Sequence, residues 1–183
     1  LHFWIHADML DPCLAPDYLR RDFVEGQLHL TQPLSGWLAV VISRIHVPLL
    51  STLGGIPVYH TPEGHLKTFQ LSIDLLTHGE YILIFPEDPE LPLDARYQMA
   101  PLKKGFTRLG EMYFECTKKI LSFYPLAVHA ESLTVHIGKP IRYNPISNPA
   151  SERARIKELL ERTIHEMYLH ASQGEIVQLP LPN

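Results

Sequence analysis

The chain has 183 residues, enough for one domain with a sizeable core, and its composition, 45% hydrophobic and 20% charged, excludes a disordered or fibrous protein. A net charge of −4 argues against nucleic acid as a main partner. Two distant cysteines, Cys13 and Cys116, exclude a disulfide framework or a cysteine zinc site and suit a reducing compartment.

Leu1-His-Phe-Trp-Ile5 reads as a short buried strand. Because the chain enters this apolar run at once, without a signal-peptide pattern, a further N-terminal piece is expected before it. Asp11-Pro12 marks a turn or helix start, and residues 16–50 read as helical in two pieces broken near Gln32-Pro33. Within them Trp37 to Leu50 is the most apolar stretch. It is shorter than the roughly eighteen uninterrupted apolar residues of a membrane span. It also carries Arg44, His46 and Pro48, and so reads as a core helix or a segment lying on a bilayer surface. Ile56 to Tyr59 follows as a strand. Glu63 to His78 has Leu66, Phe69, Ile73 and Leu76 at helical spacing, with Gly79 as a left-handed cap. Tyr81 to Phe85 reads as a strand covered on both faces, and Gly105 to Lys119 as a helix.

Phe123 to Val128 and Leu133 to Ile137 read as two strands joined by a polar turn at Glu131. Pro149 to His170 is an amphipathic helix with Asn148 as its N-cap, and 174–183 reads as a surface tail. This alternation predicts an α/β fold: a single domain over 1–173 with a mainly parallel mixed sheet flanked by helices.

In such sheets ligands gather beyond the carboxyl ends of the strands. There stand His6 and, five residues on, Asp11; then His60; then Pro86-Glu87-Asp88; and after the fourth strand His129. Lys103, Lys104 and Gly105 open a helix, where charge and backbone N–H groups suit an anion. A histidine oriented by a carboxylate suits deprotonation of a hydroxyl. The same residues also admit plain structural roles, with His6 and Asp11 marking a helix entry and cap, Glu87 solvated, and the lysines on a wet face. Glu161 and His165, four apart on the last helix, read as a surface contact. No histidine spacing predicts a metal site.

In this order the motifs resemble the glycerolipid acyltransferases of the lysophosphatidate acyltransferase type. Their first block is a histidine and an aspartate separated by four residues, matched by His6 to Pro12. Gly55 to His60 fits the frame of the second, with histidine in place of arginine, and Phe85-Pro86-Glu87-Asp88 resembles the third, with Asp88 in place of glycine. Leu102 to Gly105, Tyr124 to Val128 and Ile137 to Ile141 are similar to the later stretches.

The resemblance implies a glycerol-3-phosphate acyltransferase-like fold and transfer of a fatty acyl group from acyl-CoA or acyl-carrier protein to a hydroxyl of a lysophospholipid. It needs no cofactor beyond that co-substrate, and it implies a place on the cytoplasmic face of a membrane. It makes His6 the general base, Asp11 its orienting carboxylate, and Glu87, His60, Lys103, Lys104, Gly105 and Pro86 the substrate-binding set. Histidine at position 60 points to an acceptor less dependent on phosphate, or to another alcohol. A lipid-binding relative without turnover and a thioesterase-like hydrolase are the alternatives.

Overall fold

A computed structural model describes residues 1–88, 91–97, 99–129 and 133–172. The turn expected at Glu131 and the tail expected over 174–183 lie outside the described residues. The fold is mixed α/β, with five α-helices, one small parallel sheet and two small antiparallel ones among the described residues. The chain divides into two compact units, Leu1–Phe85 and Pro86–Asn183, where a single domain was expected.

The first unit is built on a parallel sheet of order β2-β1-β3. Strand β1 (His2–His6) lies centrally, paired with β2 (Gly55–Val58) so that Phe3 faces Gly55 and His6 faces Val58. Pro57, which has no N–H to give, is tolerated because β2 is an edge strand. Strand β3 (Ile82–Leu83) is shorter than the expected Tyr81–Phe85 and pairs only with His2 and Phe3. Helix α1 (Ala15–Leu19) runs into a π-helical turn, Arg20–Glu25, before helix α2 (Leu34–Thr52), with the break at Gln32-Pro33 that the proline predicts. Leu19 and Val24 pack on Ala39 of α2, joined by Leu30, Leu38 and Ile42. Gly54 turns the chain from α2 into β2 at φ +83°, a conformation that costs glycine little.

Helix α3 (Pro62–Thr77) starts as its sequence dictates: the Thr61 hydroxyl accepts the Gly64 N–H and Pro62 takes the first turn. Its inner face, Thr68, Phe69, Ser72 and Ile73, is buried; Ser72 accepts the indole N–H of Trp4 at 2.9 Å, and Phe69 meets the Trp4 ring edge-on.

The second unit holds helix α4 (Arg108–Thr117), entered through a 3-10 turn at Lys104–Thr107, four short strands and helix α5 (Pro149–Ser172). The strand expected over Phe123–Val128 is two strands, β4 (Ser122–Phe123) and β5 (Leu126–His129), because Pro125 interrupts the ladder. Opposite them run β6 (Thr134–Ile137) and β7 (Ile141–Arg142), interrupted by Gly138-Lys139-Pro140. Phe123 faces Ile141 but Leu126 faces Ile137, so the second arm carries one extra residue and the hairpin bends there as at a bulge. These strands do not join the parallel sheet; the one continuous sheet expected from the alternation is replaced by three small ones.

Helix α5 packs its inner face, with Ile156 and Leu160 buried, against this unit's core. Asn148 caps it as expected, its Oδ1 accepting N–H groups of Ala150 and Ser151. Glu152 is 1% exposed; its Oε1 accepts the Asn144 N–H at 2.8 Å, and both oxygens take the Arg155 fork.

Candidate functional site

The chemistry of the first unit gathers where β1 and β2 end. His6 closes β1, and its side chain caps the 3-10 turn Ala7–Met9. His60 lies just beyond β2. Because the strands are parallel and in register, the two imidazoles emerge side by side, ring centroids 4.6 Å apart. Tyr18 of α1 packs on the other neighbour position, 4.8 Å from the His6 ring. Together with Asp8, Arg21, Val58, Tyr59 and Thr61 they line a cleft of about 390 Å³.

His6 Nδ1 accepts the backbone N–H of Asp8 at 3.3 Å and stands 3.8 Å from the Asp8 carboxylate. The backbone contact favours the neutral tautomer protonated on Nε2. Turning Nδ1–H to the carboxylate instead frees Nε2 to take a proton. Burial lowers the His6 pKa from its ordinary 6.5; Asp8 opposes that shift and His60 adds to it. The lowered pKa favours the neutral imidazole, the form that can accept a proton. Burial and the Asp22 carboxylate, by its charge and by a hydrogen bond from the phenol, raise the Tyr18 pKa above 10, so the phenol stays protonated and donates to Asp22.

Asp11, expected to orient His6, makes no hydrogen bond or ion pair to it. Its Oδ1 accepts the Cys13 N–H at 2.8 Å, and its carbonyl accepts the N–H groups of Leu14 and Ala15. It builds the turn into α1, and the carboxylate beside the imidazole is Asp8. Arg21 was not singled out in the sequence. The π-helical turn after α1 places it at the cleft, where it brings a fixed positive charge beside the two imidazoles. The Arg20-Arg21 pair was visible, but regular helical spacing gives no reason to aim one of them at the strand ends.

The other expected site residues belong to the second unit and are brought together there. Glu87 forms an antiparallel bridge with Leu102. The Pro86 carbonyl accepts the Lys103 N–H at 2.6 Å, and Pro101 accepts the Asp88 N–H at 3.0 Å. Lys103 Nζ lies 3.5 Å from Asp88, a half-solvated pair of modest strength. Lys104 and Gly105 open the 3-10 turn and are exposed, as is Glu87. Behind this ribbon, Glu161 of α5 is 7% exposed; its Oε1 accepts the Leu102 N–H at 2.9 Å and the Lys157 ammonium at 2.7 Å. Glu161 is a buried brace for the lysine stretch, where a surface contact with His165 was expected. Among the described residues no group of three or more His, Cys, Asp or Glu is placed to hold a metal ion. Comparison with known proteins finds no matching family model, no matching curated protein and no matching solved structure.

Proposed function

We propose that the chain is an acyltransferase that moves a fatty acyl group from acyl-CoA or acyl-carrier protein to a hydroxyl of a lysophospholipid or similar lipid alcohol. The observation that carries this reading is the pair His6 and His60, at adjacent strand ends in one cleft with Arg21. The order of the sequence blocks they belong to supports it. The same reading takes residues 1–173 as one acyltransferase domain of the glycerol-3-phosphate acyltransferase-like fold, acting at the cytoplasmic face of a membrane.

In the mechanism, the acceptor hydroxyl hydrogen-bonds to His6 Nε2 while Nδ1–H turns to the Asp8 carboxylate. The hydroxyl oxygen attacks the thioester carbonyl as its proton passes to Nε2, and the C–S bond of the tetrahedral intermediate breaks. The thiolate then takes the proton from the imidazolium, leaving ester and free thiol. A thioester is already activated, so no covalent enzyme intermediate is needed. Tyr18, its hydroxyl engaged with Asp22, walls the cleft beside the base, and Arg21 with His60 grips an anionic group of the substrate. Glu87, Lys103, Lys104 and Gly105 are assigned to substrate binding by the family resemblance.

The test is release of free thiol from palmitoyl-CoA, with and without lysophosphatidate, in the wild type and His6→Ala. Release that needs the acceptor and falls at least about a hundredfold in the variant supports the proposal. Acceptor-independent release replaces it with a thioesterase, and undiminished release by His6→Ala removes His6 from the chemistry. Thiol release from neither substrate set, across a panel of lipid alcohols, overturns the reading.

A further inference from the structure

Helix α2 is amphipathic in the reverse of the usual sense. The face it turns to α1 and the Arg20–Glu25 turn is made of small residues: Ser35, Ala39, Ser43 and Val47 are its buried positions. Leu38 and Ile42 lean on the same core, but the other large apolar side chains point outward. Leu34, Trp37, Val41, Ile45 and Leu49, three or four residues apart, form one stripe; Trp37 is 67% and Ile45 68% exposed. A helix that serves a core places its largest apolar residues inward. Here close approach of small side chains, flanked by Leu38 and Ile42, attaches the helix to the unit, and the transfer free energy of the outward large ones is left for another phase.

Charge narrows what that phase is. From Gly26 to Pro62 the sequence has no Asp or Glu, although 20 acids in 183 residues would place about four in such a span. The ionisable groups there are Arg44, which is exposed, Tyr59 and three histidines. A protein partner of ordinary mixed charge gives no reason for that exclusion, whereas an anionic lipid surface repels acids and attracts Arg44. Trp37, amphipathic and near one end of the stripe, suits the headgroup boundary. The helix is long and apolar enough to cross a membrane by length and composition. Its inner face, however, is occupied along its length by the protein, and Gly54 leads directly into β2, so a bilayer meets it side-on.

We propose that the outward face of α2, formed by Leu34, Trp37, Val41, Ile45 and Leu49, docks the protein on an anionic lipid bilayer, the helix lying flat at the headgroup boundary. This deepens the lipid-acceptor reading and rests on it for its purpose. Its test needs no turnover, so either can fail without the other.

The full chain is floated with vesicles of mixed phosphatidylcholine and phosphatidylglycerol, and with phosphatidylcholine alone. Binding to the mixed vesicles is expected to be severalfold tighter, and Arg44→Gln should remove most of that preference. The double variant Trp37→Ser/Ile45→Ser should lose at least about tenfold in partitioning. Ile146→Ser, an exposed apolar residue of the second unit, should bind as wild type does. Both substituted helix side chains are exposed, and an unchanged far-ultraviolet spectrum shows that the double variant folds. In a Trp4→Phe background the remaining indole, Trp37, should shift its emission to the blue on binding. Failure of the wild type to float overturns the inference, as does a double variant that floats equally well. A dimer that the double substitution dissociates overturns it in favour of a contact between copies. Carbonate-resistant insertion overturns the flat geometry.

Discussion

Replacing Glu161 by alanine tests whether a buried carboxylate, and not a surface contact, holds the Leu102–Lys103 ribbon. Glu161 Oε1 accepts the Leu102 N–H at 2.9 Å, and Leu102 itself is 4% exposed. Removing a charged acceptor from a buried donor costs about 1.5–3 kcal/mol. The lost pair with Lys157, partly solvated and one helical turn away, adds about 0.3–0.5 kcal/mol. The lost contacts of the side-chain methylenes bring the expected destabilisation to about 2–4 kcal/mol. Glu161→Gln keeps an oxygen for Leu102 and should cost about 1 kcal/mol.

Urea unfolding of the full chain gives the totals, and hydrogen exchange at the Leu102 amide gives the local effect. That amide should exchange markedly faster in the alanine variant and nearly as in wild type in the glutamine variant. If Glu161→Ala lies within about 0.5 kcal/mol of wild type and the Leu102 amide keeps its protection, the brace does not exist and the reasoning fails.

Because the His6 pKa lies below 6.5, the acid limb of kcat/KM should fall below that pH. Asp8→Asn should move it lower still and His60→Gln should move it higher; a common direction for both would contradict the assigned neighbours. Arg21→Gln should raise KM for a phosphate-bearing acceptor roughly tenfold or more while leaving kcat within about threefold, measured against an uncharged alcohol as reference. The Arg155 hydrogen bonds hold the Glu152 carboxyl below its usual 4.5, so the stability it gives is fully present above that pH and is lost as pH falls through the lowered folded value. Glu152→Gln should therefore cost about 2 kcal/mol or more near pH 7, with the difference shrinking below about pH 4.5 in urea titrations. Gly54→Ala should cost about 1–2 kcal/mol, since φ is +83° and the new Cβ would stand 2.7 Å from His2 Nδ1; an unchanged unfolding midpoint would show that the turn relaxes freely.

What the sequence determined by itself was local. Apolar spacing and caps set α3 and α5, down to Gly79 at φ +83° and Asn148 at the head of α5, because capping and periodicity are settled by residues within a turn or two. It also brought His6 and His60 under suspicion, since strand ends in an α/β alternation are readable without coordinates.

Tertiary structure decided the rest. Spacing alone could not say that Asp8 and not Asp11 would face His6, because that depends on a 3-10 turn closing immediately after β1. Nor could it aim Arg21 at the cleft, which takes a π-helical turn, or bury Glu161, whose partner Leu102 is remote in the chain. The two prolines that break one hairpin into four strands were visible, but how the arms would pair again across them was a matter of register. Helix α2 shows the limit most plainly. Its composition admits either a core helix or a segment lying on a bilayer surface, and it is the packing of Leu19 and Val24 against Ala39 that leaves Trp37 and Ile45 outward. A helix's own sequence fixes which residues share a face, whereas the neighbour that fits closest decides which face is inside.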